Sequence, residues 1–131
     1  MIPFETWLSQ IVGYCRLVAD TVGLRRAWVD GNHSQSSVTD FDELYEQIFD
    51  DLDSDSFDKE LKVHLAKNVA AREALSAFLE AIRNADMARE GNVKLSSPEN
   101  LLRSTEWLRV VDTAERVTIL LANHRIGEGD E

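Results

Sequence analysis

The sequence predicts an all-α fold: one domain over residues 1–131, a bundle of five or six helices with residues 127–131 as a frayed tail. Three observations carry this. Apolar residues recur at spacings of three and four along nearly the whole chain, no alternating run is long enough to build a sheet, and only two prolines interrupt the sequence. The best strand candidates, Ala27 to Val29 and Asn92 to Leu95, are both short.

Taken in order, Pro3 suits a first helical turn. Phe4, Trp7, Leu8, Ile11, Cys15, Val18 and Val22 follow on one face until Gly23 offers a stop, which predicts a helix over 3–22. Leu24 to Asp30 reads as a short helix or as an extended connector, and residues 31–37 as a loop. Thr39 is a good N-cap with Asp40 and Asp42 in the turn behind it. Phe41, Leu44, Tyr45, Ile48, Phe49 and Leu52 then share a face, which predicts a second helix over residues 40–53.

Ser56 can cap a third helix carrying Phe57, Leu61 and Leu65. Asn68 can cap a fourth carrying Val69, Leu75, Phe78, Leu79 and Ile82, unless the two form one kinked helix. Residues 86–97 read as the longest interior connection. Ser97-Pro98-Glu99 and Ser104 each open a helix, and the last one holds Trp107, Leu108, Val111, Ala114, Val117, Leu120 and Leu121, with Arg125 near its end and Gly127 past it. Trp7 and Trp107 belong to the core, and Trp28 is expected as a plug between the first two helices.

Composition bounds the function. With 44% apolar and 8% aromatic residues the chain can build a core, so a disordered acidic tail is excluded. Its 24 acids against 14 Lys and Arg leave a net charge of −10, which argues against contact with nucleic-acid phosphates or an anionic membrane. The single cysteine, Cys15, has no internal disulfide partner and reads as a buried structural thiol. The residues after Met1 do not resemble a secretion signal, no window approaches a membrane span, and a cytoplasmic protein is expected.

The charge is unevenly placed. Residues 39–60 hold ten acids and one base, Lys59, while the remainder holds fourteen acids and thirteen bases. On a regular helix Asp42, Glu43, Glu46, Asp50 and Asp53 fall on the side away from Phe41, Leu44, Ile48 and Leu52. Asp42/Glu46 and Glu46/Asp50 are like-charge pairs at i, i+4, each unfavourable by about 0.2–0.5 kcal/mol. A helix arranged only for stability would intersperse lysines here. One explanation is a solvated face that keeps the protein soluble; the other is a recognition surface for a basic partner formed by Asp42, Glu43, Glu46, Asp50, Asp51 and Asp53.

Catalytic and metal motifs are missing. No phosphate-binding glycine loop, nucleophile elbow or zinc-binding His-Glu-x-x-His is present, so no enzyme, cofactor or metal is expected. Asp51-Leu-Asp53-Ser-Asp55 opens like a calcium loop, but Ser56 stands where the turn needs glycine and Lys62 where a bidentate glutamate is needed. His33, His64 and His124 share no ligand spacing and read as ordinary surface residues.

The Phe4-Glu-Thr-Trp7-Leu8 helix, Trp28-Val-Asp-Gly31, the acidic run Phe41 to Asp51 and a last helix opening Trp107-Leu-Arg-Val-Val resemble small all-helical bacterial proteins of unknown function and predicted toxin-immunity proteins. That resemblance spans most of the chain. It implies a helical scaffold that binds a cognate toxin, the acidic helix occupying a basic active-site cleft, and it offers no catalytic motif to transfer. Two alternatives stand beside it: a regulatory interaction domain for another basic partner, and a small helical hydrolase using paired carboxylates. A hydrolase requires a concave site with perturbed carboxylates, whereas a binder needs only an exposed patch.

Because the calcium-like run lacks its glycine and terminal glutamate, millimolar calcium is expected to shift the Tm no more than magnesium does. A thermal melt with each ion checks this.

Overall fold

The computed structural model describes residues 3–32 and 38–122, the Asp58 side chain excepted. Among these residues it is all-α, with seven α-helices and no strand. These are α1 Phe4–Ala19, α2 Thr21–Trp28, α3 Phe41–Glu46, α4 Asp58–His64, α5 Val69–Gly91, α6 Pro98–Arg103 and α7 Thr105–Leu120. A π turn, Gln47–Asp51, continues α3, and 3₁₀ turns occupy Ser54–Phe57 and Val93–Ser96. His33, His124, Arg125, Gly127 and the tail lie outside the described residues, and no described helix is long and apolar enough to cross a membrane.

The frame is a layer of three long helices in which α7 lies between α1 and α5 and packs along both. Alanines make the close approach possible: Ala71, Ala74, Ala81 and Ala85 lie on the buried face of α5, and Ala114 on that of α7. Trp7, Ile11, Phe78, Ile82, Trp107 and Val110 fill the space between them.

Where the structure departs from the sequence reading, capping chemistry explains most of the difference. The first helix stops at Ala19 because Asp20 leaves the helical region and turns its side chain onto the Gly23 N–H at 3.1 Å, capping α2. Gly23 is therefore inside a helix. A Cβ there would lie 2.4 Å from Asp20 Oδ2, so a side chain at this position would shift the carboxylate from its present setting. Val22, carried past that break, is exposed. Leu24 to Trp28 is helical, and Gly31 follows α2 at φ +76°, a conformation suited to glycine. Trp28 packs against Trp107, with ring centroids 5.3 Å apart, and donates its indole N–H to the Val38 carbonyl.

Asp40, one residue after Thr39, caps α3 by accepting from the Glu43 N–H at 2.8 Å. Ser56 caps nothing: its hydroxyl donates to the Asp53 carbonyl, and α4 starts from Phe57 without a side-chain cap. Asn68 does cap α5, accepting from the Ala71 N–H, so α4 and α5 are separate helices. The latter runs to Gly91, which makes the first half of the expected 86–97 connection α-helical, and a 3₁₀ turn over Val93–Ser96 follows. Pro98 opens α6, and Ser104 caps α7 through the Trp107 N–H at 3.1 Å. Within α7 the buried position is Val110, while Leu108 points outward.

One polar side chain is buried among the described residues, that of Ser54. It accepts from the Trp7 indole N–H at 3.2 Å and donates to the Ile48 carbonyl at 2.6 Å, tying α1 to the π turn. Trp7 also stacks on Phe57, ring centroids 4.9 Å apart. Ser54→Ala strands a buried indole N–H and a backbone carbonyl, and is expected to cost about 1–3 kcal/mol with helicity retained, measured by denaturant unfolding.

Candidate functional site

The acidic segment, residues 40–57, is attached to the frame by side chains on two flanks. Its inward face carries Phe41, Leu44, Ile48, Phe49, Leu52 and Phe57, all buried. On a regular helix Phe41, Leu44, Ile48, Phe49 and Leu52 already share a broad apolar arc, with Phe49 at its edge. A π turn follows, in which the Leu52 N–H bonds to the Gln47 carbonyl at 3.1 Å, and Ile48 and Phe49 within it are both buried. Asp53 follows at φ +51°, a left-handed conformation that Asp tolerates better than most residues, and this reverses the chain to bring Ser54 under the π turn.

Toward α1, the Tyr14 hydroxyl donates to Gln47 Oε1 at 2.6 Å. Burial and the nearby Asp51 carboxylate hold the Tyr14 phenol above its ordinary pKa. Toward α5, two arginines fasten the segment near its ends. The Arg89 guanidinium lies over the Phe41 ring, 4.7 Å from its centroid, and donates to Asp42 at 2.8 Å. Arg83 lies over Phe49 at 4.8 Å and pairs with Asp55. Tyr45 stands between these rings, 6.1 Å from Phe41 and 4.6 Å from Phe49. Burial raises its pKa, with the negative field of Asp86, Asp55 and Asp50 adding to the shift against Arg83.

The sequence-derived acids therefore divide by what they face. Asp42 is paired with Arg89 at the edge of the segment, although most of its side chain remains in solvent. Glu46, Asp50, Asp51 and Asp53 are exposed, Glu43 is half-buried, and none of these five pairs with a base among the described residues. They do not form one stripe: Asp51 is off the shared side by helical spacing alone and lies near Tyr14 of α1. No family model, curated protein or solved structure matches the chain. The surface has to be judged on its own chemistry.

The carboxylates around this surface are divided among separate partners. Asp51, Asp53 and Asp55 diverge, with Asp51 near Tyr14 and Asp55 on Arg83, and among the described residues no three His, Cys, Asp or Glu side chains gather to hold a metal. A cavity of about 190 Å³ beside the segment is lined by Trp28, Asp40, Phe41, Asp42 and Arg89. Its Asp40 carboxylate is committed to the α3 cap and its Asp42 carboxylate to Arg89. Burial pushes the Cys15 thiol up, away from a reactive thiolate. His64 lies flat on Phe4, centroids 4.4 Å apart, with Glu60 at 3.2 Å, a surface contact of the kind its position suggested.

Reasoning from sequence missed Arg83, Asp86 and Arg89, which hold and tune the segment. The available signal was the aromatic ladder Phe41, Tyr45, Phe49 at i, i+4, which offers ring faces to cations on a neighbouring helix. Asp86, 24% exposed at its side chain, has a raised pKa because of burial first and the adjacent Glu90 second, Arg89 opposing and Asp42 adding.

The sign of the pH effect follows from that shift. Folded Asp86 holds its proton more tightly than the unfolded chain does, so the stability linked to it is complete below the ordinary carboxylate range. It is lost as pH rises from that range through the folded value. Asp86→Asn is therefore expected to be more stable than wild type at neutral pH and to lose that advantage in acid, as denaturant unfolding at the two pH values would show.

Proposed function

We propose that the protein is a binding module that presents Glu43, Glu46, Asp50, Asp51 and Asp53, with the Arg89-paired Asp42 at their edge, to a basic protein partner, as an immunity-type protein does when it occludes the active site of a cognate toxin. A nuclease toxin keeps a basic cleft for the nucleic-acid backbone, and an acidic segment fixed on a rigid bundle fits such a cleft. The observation that carries this reading is the segregation of the acids. Those turned toward α5 meet Arg83 and Arg89, and those turned outward meet no base.

Solubility alone does not call for this arrangement. Charges of one sign concentrated between residues 39 and 60, beside a nearly neutral remainder, repel one another and gain nothing over the same charges spread out. Against a basic partner the same field raises the association rate and excludes acidic competitors. The outward acids are set on a segment whose inward side is fixed at both flanks, so little ordering remains to be done on binding.

Affinity capture from the native cell followed by titration calorimetry tests the reading. Glu46→Lys with Asp50→Lys touches no hydrogen bond or ion pair of the described fold. It is expected to weaken the captured partner's binding by about 2–5 kcal/mol while Tm holds or rises, and wild-type affinity is expected to fall with added salt. Full affinity in the folded double variant would refute it.

A further inference from the structure

Away from the acidic segment, a hollow combines an apolar wall with charge of the opposite sign. It is a groove of about 260 Å³ between α2, α6 and α7, walled by Leu24, Leu102, Trp107 and Val111, with Val22 exposed at its edge. Leu24, Trp107 and Val111 belong to the core, so the groove opens directly onto it. No acid lines it. Its one charged side chain is Arg25, in a chain whose net charge is −10.

Arg25 shares a polar edge with Thr21. The two are four residues apart on α2, so they lie on one side of that helix, and both line the groove. The Thr21 hydroxyl has no hydrogen-bond partner among the described residues. Arg25 donates to Glu99 Oε2 at 3.2 Å, but Arg103 donates to that same oxygen at 2.9 Å. One carboxylate therefore faces two guanidinium groups, which leaves one positive charge uncompensated. Within α2, Arg26 adds another and there is no acid, while the Asp20 carboxylate ahead of it is held by the Gly23 N–H. These ion pairs are solvent-exposed and worth little. Arg25 can thus exchange Glu99 for another carboxylate while Arg103, four residues along α6, keeps Glu99 paired.

We propose that this groove binds a medium-chain monocarboxylic acid, its chain laid against Leu24, Leu102, Trp107 and Val111 and its carboxylate between the Arg25 guanidinium and the Thr21 hydroxyl. The apolar wall calls for a hydrocarbon body and Arg25 for an anionic head, and a carboxylate accepts from a guanidinium and a hydroxyl at once. The groove holds the volume of about nine waters, at about 30 Å³ each, which suits a chain of about eight carbons. A cationic head would meet Arg25 without an acid lining the groove to offset it, and a dianion would find one uncompensated charge where it needs two. None of the lining residues belongs to the acidic segment, so this site does not depend on partner binding there.

Titration calorimetry of the whole chain with octanoate, hexanoate and octylamine tests the site. Octanoate is expected to bind with a Kd below about 1 mM and at least about tenfold more tightly than octylamine, which has the same chain and the opposite charge. Hexanoate, two methylenes shorter, is expected to bind at least about fivefold more weakly than octanoate. Arg25→Gln, at an exposed position, is expected to keep its helicity by circular dichroism and to erase the difference between octanoate and octylamine. An octanoate Kd above that limit, equal affinity for octanoate and octylamine, equal affinity for hexanoate and octanoate, or a preference for the anion that survives in Arg25→Gln would overturn the proposal.

Discussion

The Ser54 hydroxyl is the contact on which the shape of the acidic surface depends. It joins the Trp7 indole of α1 to the Ile48 carbonyl inside the π turn, so one small polar group fixes how the segment is seated and how far it unwinds. Without an acceptor, Trp7 would bury its N–H unpaired at the centre of the core, and without a donor the Ile48 carbonyl would meet the same penalty. Serine satisfies both because a hydroxyl accepts and donates at once. The left-handed turn at Asp53 then follows as a requirement of the path, since the chain must double back within two residues of Leu52 to put Ser54 there.

Magnitudes decide why a segment so rich in acids folds at all. Each like-charge pair on its outer face opposes folding by about 0.2–0.5 kcal/mol. Each large apolar side chain buried on its inner face contributes about 1.5–3 kcal/mol, and Phe41, Leu44, Ile48, Phe49, Leu52 and Phe57 are all buried. Burial wins by a wide margin, so the outer face is free to carry whatever charge its use demands. The surface pairs with Arg83 and Arg89 add little as ion pairs. Their larger effect is to cover the Phe49 and Phe41 rings with guanidinium planes, closing the α5 flank without adding another apolar surface.

The helical class was legible because spacing of three and four persists through Trp7, Ile11, Phe78 and Val117, where packing and propensity agree. Boundaries were less legible, because several residues compete for each cap. Asp20 took a role expected of Gly23, and Asp40 one expected of Thr39, each decided by which backbone N–H lay within reach of a side-chain oxygen. The acidic residues were found by count alone, but their division into paired and unpaired sets was hidden in α5. Arg83 and Arg89 are far from Asp55 and Asp42 in sequence, and nothing local marks such long-range partners. The π turn was hidden for a related reason. Ile48 and Phe49 both fit the apolar spacing of an ordinary α-helix, so that pattern carries no mark of the wider turn.

The exposed side of α7 bears on the acidic side through the same frame. A central helix packed against α1 and α5 has little freedom to rotate, so the residues it turns to solvent are fixed by those it buries: Val110, Ala114 and Val117 inward require Leu108, Asp112, Glu115 and Ile119 outward. Leu108 and Ile119 stand singly on that side, which a folded surface tolerates, so the outward face of α7 is a consequence of its packing.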